Sequence, residues 1–263
     1  VRLAEAGGLQ GLATFEFLVP LSGDAPGVFI EANPRLQVEH TVTEAVTGLD
    51  LVQLQLRLAR GESLAACGLA EGSPPARGHA IQLRINMERL RPDGTVVSTA
   101  GGVLTAYEPP SGPGVRVDGY GFGGYATSSN YDPLLAKLIV ANPDPDFGRT
   151  LARARRAAAE FRVEGVDTNL PLLRAILDAD ALEAPVDTTF VEASLAGLLE
   201  RAEALAPAER AAAQPAAGPK AAPATPPGMA AAAAPLRGTI VAIQAAVGDE
   251  VRPGQVLAIM EAM

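Results

Sequence analysis

An α+β fold split into more than one unit is the architecture that this 263-residue sequence predicts, and three observations carry it. Apolar and polar residues alternate at 14–19, 28–32 and 79–88, as they do in half-buried strands. Helical patterns follow those strands in blocks, at 147–161, 169–178 and 190–205. Near residue 201 the composition shifts to Ala and Pro, and after residue 234 the alternation resumes.

The elements follow in chain order. TFEFLV (14–19) and VFIEA (28–32) read as strands joined by LSGDAPG, whose Gly, Asp and Pro are turn formers. Phe15 and Phe17 share one face of the first strand, so Glu16 points to the other. Residues 41–61 read as helical, with Asp50 a candidate N-cap, Leu51, Leu54 and Leu58 an apolar stripe, and Gly61 a C-cap. After a GSPP-containing loop, a second unit opens on the strand HAIQLRINME and runs through short strands to LLAKLIV. The arginines of FGRTLARARRAAAEF are expected on a solvated helix face, not in a binding patch.

Residues 201–234 lack large apolar side chains to bury and are expected to form a linker, about 30 Å end to end on average if flexible. PLRGTIVAIQAAVGDEVRPGQVLAIMEAM then reads as the start of a small β-structure. The predicted boundaries are therefore 1–66, 67–200, 201–234 and 235–263.

Composition excludes several classes of partner. Apolar residues make up 48% of the chain, but aromatics only 4% with no Trp, so the core is expected to be Ala, Leu and Val. A net charge of −9 argues against nucleic acid, whose binding relies on neutralised phosphates. The single Cys67 cannot form an internal disulfide, which fits a reducing cytoplasm. No apolar run approaches the ~18 residues of a membrane span, and no signal-peptide pattern opens the chain. Val1 falls mid-pattern, and the chain is expected to be a piece of a longer one.

FIEANPRLQVEH, residues 29–40, holds the candidate site. Glu31, Asn33, Arg35, Gln37 and Glu39 share one parity, and in an extended chain they would line one side. Glu16 and Glu31 on neighbouring strands are an unfavourable pair unless a cation lies between them. A hard cation such as Mg²⁺ takes oxygen ligands and commonly bridges to phosphate, and Asn33 offers a third oxygen. The alternative is an exposed sheet face with scattered charge. His40 has the opposite parity and reads as a structural, hydrogen-bonded histidine.

FIEANPRLQVEHTVTEAVTGLDLVQLQLRLARG resembles the signature of the biotin carboxylase component of biotin-dependent carboxylases, on an ATP-grasp fold. GHAIQLRINME and the tail GQVLAIMEAM, similar to the biotin-attachment motif, add to the resemblance. It implies the C-terminal part of an ATP-grasp domain, a biotin carboxylase C-terminal domain, a linker and a partial biotinyl domain. The implied enzyme is a ligase that carboxylates biotin with ATP, Mg²⁺ (or Mn²⁺) and bicarbonate.

By that resemblance Glu16 and Glu31 hold the metal beside Asn33. Arg35, Gln37 and the Val38 backbone hold bicarbonate, Glu39 is the general base, and Arg84 stabilises the enolate form of biotin. Tyr131, Asp132 and Lys137 are expected to support the second unit, and Arg116 to lie near a contact of a homo-oligomer. The implied partners are a biotinyl carrier domain, a carboxyltransferase and a biotin protein ligase.

The lysine that accepts biotin in the family is expected just beyond Met263. The lysines and glycine-rich loop of the nucleotide clamp are expected before Val1. The isolated piece is therefore expected to be inactive. The short Ala/Pro arm favours an acyl-CoA carboxylase over pyruvate or urea carboxylases. A carbamoyl-phosphate synthetase type of ATP-grasp ligase lacks the Q-V-E-H continuation, and a non-enzymatic carrier would have no use for the ladder.

Overall fold

A short helix that the sequence reading missed, α1 (Arg2–Ala6), precedes an antiparallel pair of strands, β1 (Thr14–Leu18) and β2 (Val28–Asn33). The structure, a computed structural model, describes residues 2–23, 25–128, 130–206, 239–252 and 254–261. A bulge between Glu16 and Phe17 brings Phe17 opposite Phe29, with the rings edge-on at 5.6 Å.

The helical stretch expected as one element is two: α2 (His40–Thr47) and α3 (Leu51–Ala59). Gly48 is the reason: it takes a left-handed φ of 75°, which a side chain would disfavour, and so ends α2. Asp50 then starts α3 by accepting a hydrogen bond from the Gln53 N–H at 2.7 Å. At the far end Gly61 donates to the Leu58 carbonyl and Glu62 to that of Arg57, a Schellman closure one residue past the cap.

The second half contains β3 (His79–Asn86), β4 (Glu88–Leu90), β5 (Val96–Ser98), β6 (Ala106–Glu108), β7 (Val115–Gly119) and β8 (Leu134–Asn142). It continues with α4 (Phe147–Glu160), β9 (Arg162–Glu164), α5 (Leu170–Leu177), a 3₁₀ turn and α6 (Phe190–Leu205). The strands β3, β8 and β7 form an antiparallel sheet in that order, flanked by the small pairs β4–β5 and β6–β9.

One face of this sheet is the core. Leu83, Ile85, Leu138 and Val140 pack there against Leu151, Ala154, Ala157 and Ala158 of α4 and Leu170 and Leu177 of α5. Of the α4 arginines, Arg149 and Arg156 are exposed, as expected, and pair with Asp144 and Glu160, whereas the half-buried Arg153 and Arg155 donate to the Ala141 and Leu177 carbonyls at 2.7 Å.

The opposite face is polar and receives α2. The fully buried Thr41 donates to the Gln82 side chain, and Glu44 accepts from Arg116 at 3.0 Å. Glu44 also accepts from the Leu51 N–H at 2.9 Å, so one carboxylate joins α2, α3 and β7. This docking holds the β1–α3 half and the β3–α6 half together in one compact unit, Val1–Ala216. The helix α6 runs five residues past the expected linker start at 201; the rest of that linker lies outside the described residues. In the second unit, Ala217–Met263, β10 (Thr239–Ile243) and β11 (Ala258–Glu261) pair antiparallel.

Across the polar face Arg84, Lys137 and Asp118 stand in one row of the ladder. Lys137 reaches Asp118 at 3.4 Å, and Arg116 grips both oxygens of Asp118 at 2.7 and 2.9 Å. Burial alone pushes the Asp118 carboxyl up; the Arg116 hydrogen bond and the charges of Arg116 and Lys137 outweigh it and hold it below the usual range. A carboxylate with a depressed folded pKa contributes stability that is present above its ordinary value of ~3.9 and lost as pH falls through the folded one. Asp118→Asn is therefore expected to lower stability at neutral pH. It should also flatten the decline as pH falls below about 4, read by urea unfolding at each pH.

Candidate active site

Glu16 and Glu31 are direct cross-strand partners, and like charges in that relation are destabilising. The Asn33 amide bridges them, donating to Glu16 Oε1 at 3.2 Å and to Glu31 Oε1 at 2.8 Å. The two carboxylates are hard-oxygen ligands, but Asn33 turns its Nδ2 toward them, not the third oxygen expected of it. Among the described residues no cluster of three or more His, Cys, Asp or Glu side chains gathers. The two carboxylates would suit a Mg²⁺ that takes its remaining ligands from water and phosphate, and do not make an all-protein metal cage.

The single extended rail expected from Glu31 to Glu39 is not what the chain forms. The strand ends at Asn33, and the Arg35 N–H turns back to the Asn33 carbonyl at 2.8 Å. Pro34 is the physical cause, since it has no N–H for a ladder and a fixed φ. Only Glu31 and Asn33 keep the strand's parity. Arg35 is exposed, with its guanidinium 3.3 Å from the Leu36 carbonyl.

Gln37 and Val38 lie in the turn leading to α2. The Gln37 Oε1 atom is buried and accepts no hydrogen bond from the described residues, so it is an acceptor awaiting a donor. The Gln37 carbonyl is engaged by His40 Nδ1 at 2.7 Å, a hydrogen-bonded histidine as read from its parity.

Glu39 sits at the N-cap of α2 with helical backbone angles, and its side chain does not cap the helix. It accepts instead from Arg84 Nη2 of β3 at 2.7 Å. Two residues 45 apart in sequence, predicted separately, thus meet as an ion pair. Both side chains are nearly half exposed, at 43% and 47%, so the pair is open to a ligand. Sequence reasoning missed Thr41, Gln82 and Glu44, which dock α2 so that Glu39 reaches Arg84. The polar residues on alternate positions of HAIQLRIN were the available signal. Lys137 has the supporting contact expected of it, and Asp132 caps the Leu134 N–H at 2.8 Å; Tyr131, however, is 80% exposed.

A cleft of about 580 Å³ bounded by His40, Glu44, Asp50 and Arg116 contains none of Glu16, Glu31, Arg35, Glu39 or Arg84. Volume and chemistry therefore separate here, and the chemistry is the better guide because it is carried by specific facing charges.

Residues 82–193 match the biotin carboxylase C-terminal domain. Residues 1–67 match the ATP-binding domain of the carbamoyl-phosphate synthase L chain. The relatives include pyruvate carboxylases, biotin carboxylases and a subunit of a biotin-dependent acyl-coenzyme A carboxylase. The chain is 34% identical to the biotin-dependent acyl-coenzyme A carboxylase alpha3 subunit of Mycobacterium leprae (strain TN), over all of this chain and 50% of that one. Among solved structures, a single-chain, multi-domain long-chain acyl-CoA carboxylase is 45% identical, with a TM-score of 0.70 over all of this chain and 26% of that one.

The biotin carboxylase domain dimer of Hydrogenobacter thermophilus 2-oxoglutarate carboxylase is 32% identical, with a TM-score of 0.66 over 75% of this chain and 42% of that one. That structure is a complex with MgADP, ADP and bicarbonate. The chain spans half the mycobacterial subunit and as little as 16% of a related pyruvate carboxylase. Among the described residues no helix is long and apolar enough to cross a membrane.

Proposed function

We propose that this chain carries the bicarbonate-activating and biotin-carboxylating site of an acyl-CoA carboxylase, an ATP-dependent ligase. The observation that carries the reading is the 2.7 Å pair between Glu39 and Arg84, with Glu39 on the segment that also carries Arg35 and the buried acceptor of Gln37. Magnesium-bound ATP supplies an electrophilic phosphorus there, and biotin supplies a ureido nitrogen that must lose a proton.

The chain's own residues then divide the work. Glu16 and Glu31 would hold the metal, beside Asn33. Arg35 offers charge and Gln37 an acceptor to bicarbonate, with the Val38 backbone completing the pocket. Glu39 takes the bicarbonate proton, and a positioned base of this kind contributes about 10²–10⁴-fold. Protonation cancels the charge that held Arg84, which frees the guanidinium to face negative charge developing on the ureido oxygen.

Relatives spanning the whole chain support the acyl-CoA type: the acyl-CoA carboxylases align over 100% of it, a related pyruvate carboxylase over 73%. The paired strands β10 and β11 are compatible with the start of a biotinyl carrier domain. A carboxyltransferase, a biotin protein ligase and a second copy of the chain are the further partners of this reading.

The test is ADP formation by the complete protein with ATP and Mg²⁺. The reading expects turnover that requires bicarbonate and rises with free biotin. Turnover indifferent to both additions contradicts it.

A further inference from the structure

The free side of β3 beside Arg84 is held by a residue that no role above uses. In the sheet order β3–β8–β7, β3 is an edge strand whose outer backbone groups face no neighbouring strand among the described residues. Asn169 takes their place. Its side-chain Nδ2 donates to the Arg84 carbonyl at 3.1 Å, its Oδ1 accepts from the Asn86 N–H at 2.9 Å, and its own N–H donates to the Asn86 carbonyl at 2.9 Å. One residue thus stands in for a paired strand over the two positions that bracket Ile85.

Three further observations show the arrangement is built around this point. Asn169 occupies the N-cap of α5, where Asn is among the best capping residues, yet its side chain makes no cap bond. The β3–β8 ladder loses register between Ile85 and Asn86, so the strand is least constrained on its paired side just after Arg84. Glu88 completes the clamp: its Oε1 accepts from Asn86 Nδ2 at 2.9 Å and lies 3.5 Å from Asn169 Nδ2. A side chain that forgoes its own helix to fix a bulged edge strand fixes what that strand displays, and the residue displayed is Arg84.

We infer that Asn169 is a positioning residue for Arg84, anchoring the backbone from which the guanidinium reaches Glu39 and the acceptor of the carboxyl group. The inference rests on the proposed function, and its test separates the two. In the complete protein, Asn169→Ala is expected to lower biotin-dependent turnover about tenfold more than it lowers bicarbonate-dependent ATP cleavage without biotin, as misplacement of a catalytic group does. A purely structural loss would lower both activities in proportion.

Asn169→Asp keeps the acceptor, the size and a good cap, but turns an oxygen toward the Arg84 carbonyl. It should fold and show the same split, so it decides the matter if the alanine variant does not fold. In the Arg84→Ala background, Asn169→Ala should change the biotin-dependent rate no further. Equal losses in both activities, or additive losses in the double variant, overturn the inference. An Arg84→Ala protein with an undiminished biotin-dependent rate overturns the proposed function instead.

Discussion

Glu39→Gln in the complete protein is expected to reduce bicarbonate-dependent ATP cleavage by about 10²–10⁴-fold, the contribution of a positioned base. The amide keeps the shape of the carboxylate and can still accept from Arg84 Nη2, so the 2.7 Å contact survives in weakened form. Stability is expected to change little: an exposed ion pair contributes about 0–1 kcal/mol, and Glu39 makes no cap bond to α2 that the change would remove. The measurement is steady-state ADP release beside the thermal midpoint of each protein. A large loss of turnover at an unchanged midpoint is the expected result. Retention of more than about a tenth of the rate would remove Glu39 from the chemistry, since even the weakest positioned bases exceed that.

The second large effect concerns magnesium. Glu31→Gln removes one of two carboxylates that face each other across β1 and β2 with only the Asn33 amide between them. Cross-strand repulsion falls, so the fold is expected to hold or gain slightly. The Mg²⁺ concentration for half-maximal turnover is expected to rise at least about 10–100-fold, the range seen when even an outer partner of a metal is lost. Glu16→Gln should behave alike, because the two oxygens that Asn33 bridges are equivalent in kind. A magnesium titration of ADP release reads this directly, and an unaltered half-maximal concentration in both variants removes the pair from metal binding.

Local patterns were legible where one residue decides the outcome. Asp50 starts α3 as read, because a carboxylate one residue before an apolar stripe has an N–H to accept from. Strand alternation put Glu16 on the face away from Phe15 and Phe17, and the structure has Glu16 and Glu31 as cross-strand partners. The reading failed where one residue overrode a period. Gly48 cut a continuous helical pattern, and Pro34 ended a strand whose polar parity ran on to Glu39.

Those failures have a common lesson for the site. Arg35, Gln37 and Glu39 leave the strand and enter a turn and a cap, so their parity was not a geometric fact; the fold brings Glu39 to Arg84 by docking α2 on the sheet. Such a contact spans 45 residues and has no local signal. Asn169 was hidden for another reason. A capping residue type at a helix start explains itself, and nothing in NLPLLRAILD indicates that the side chain points to β3 instead.

In the proposed function, bicarbonate is the nucleophile that Glu39 activates toward the terminal phosphate of ATP. Transfer of an ¹⁸O label from bicarbonate to inorganic phosphate in the complete protein tests it most directly. Activation by phosphorylation predicts that one bicarbonate oxygen stays with each phosphate released, and that Glu39→Gln slows labelled and total phosphate together. Phosphate released without label, at a rate indifferent to Glu39, would mean that water attacks ATP and that the site does other chemistry.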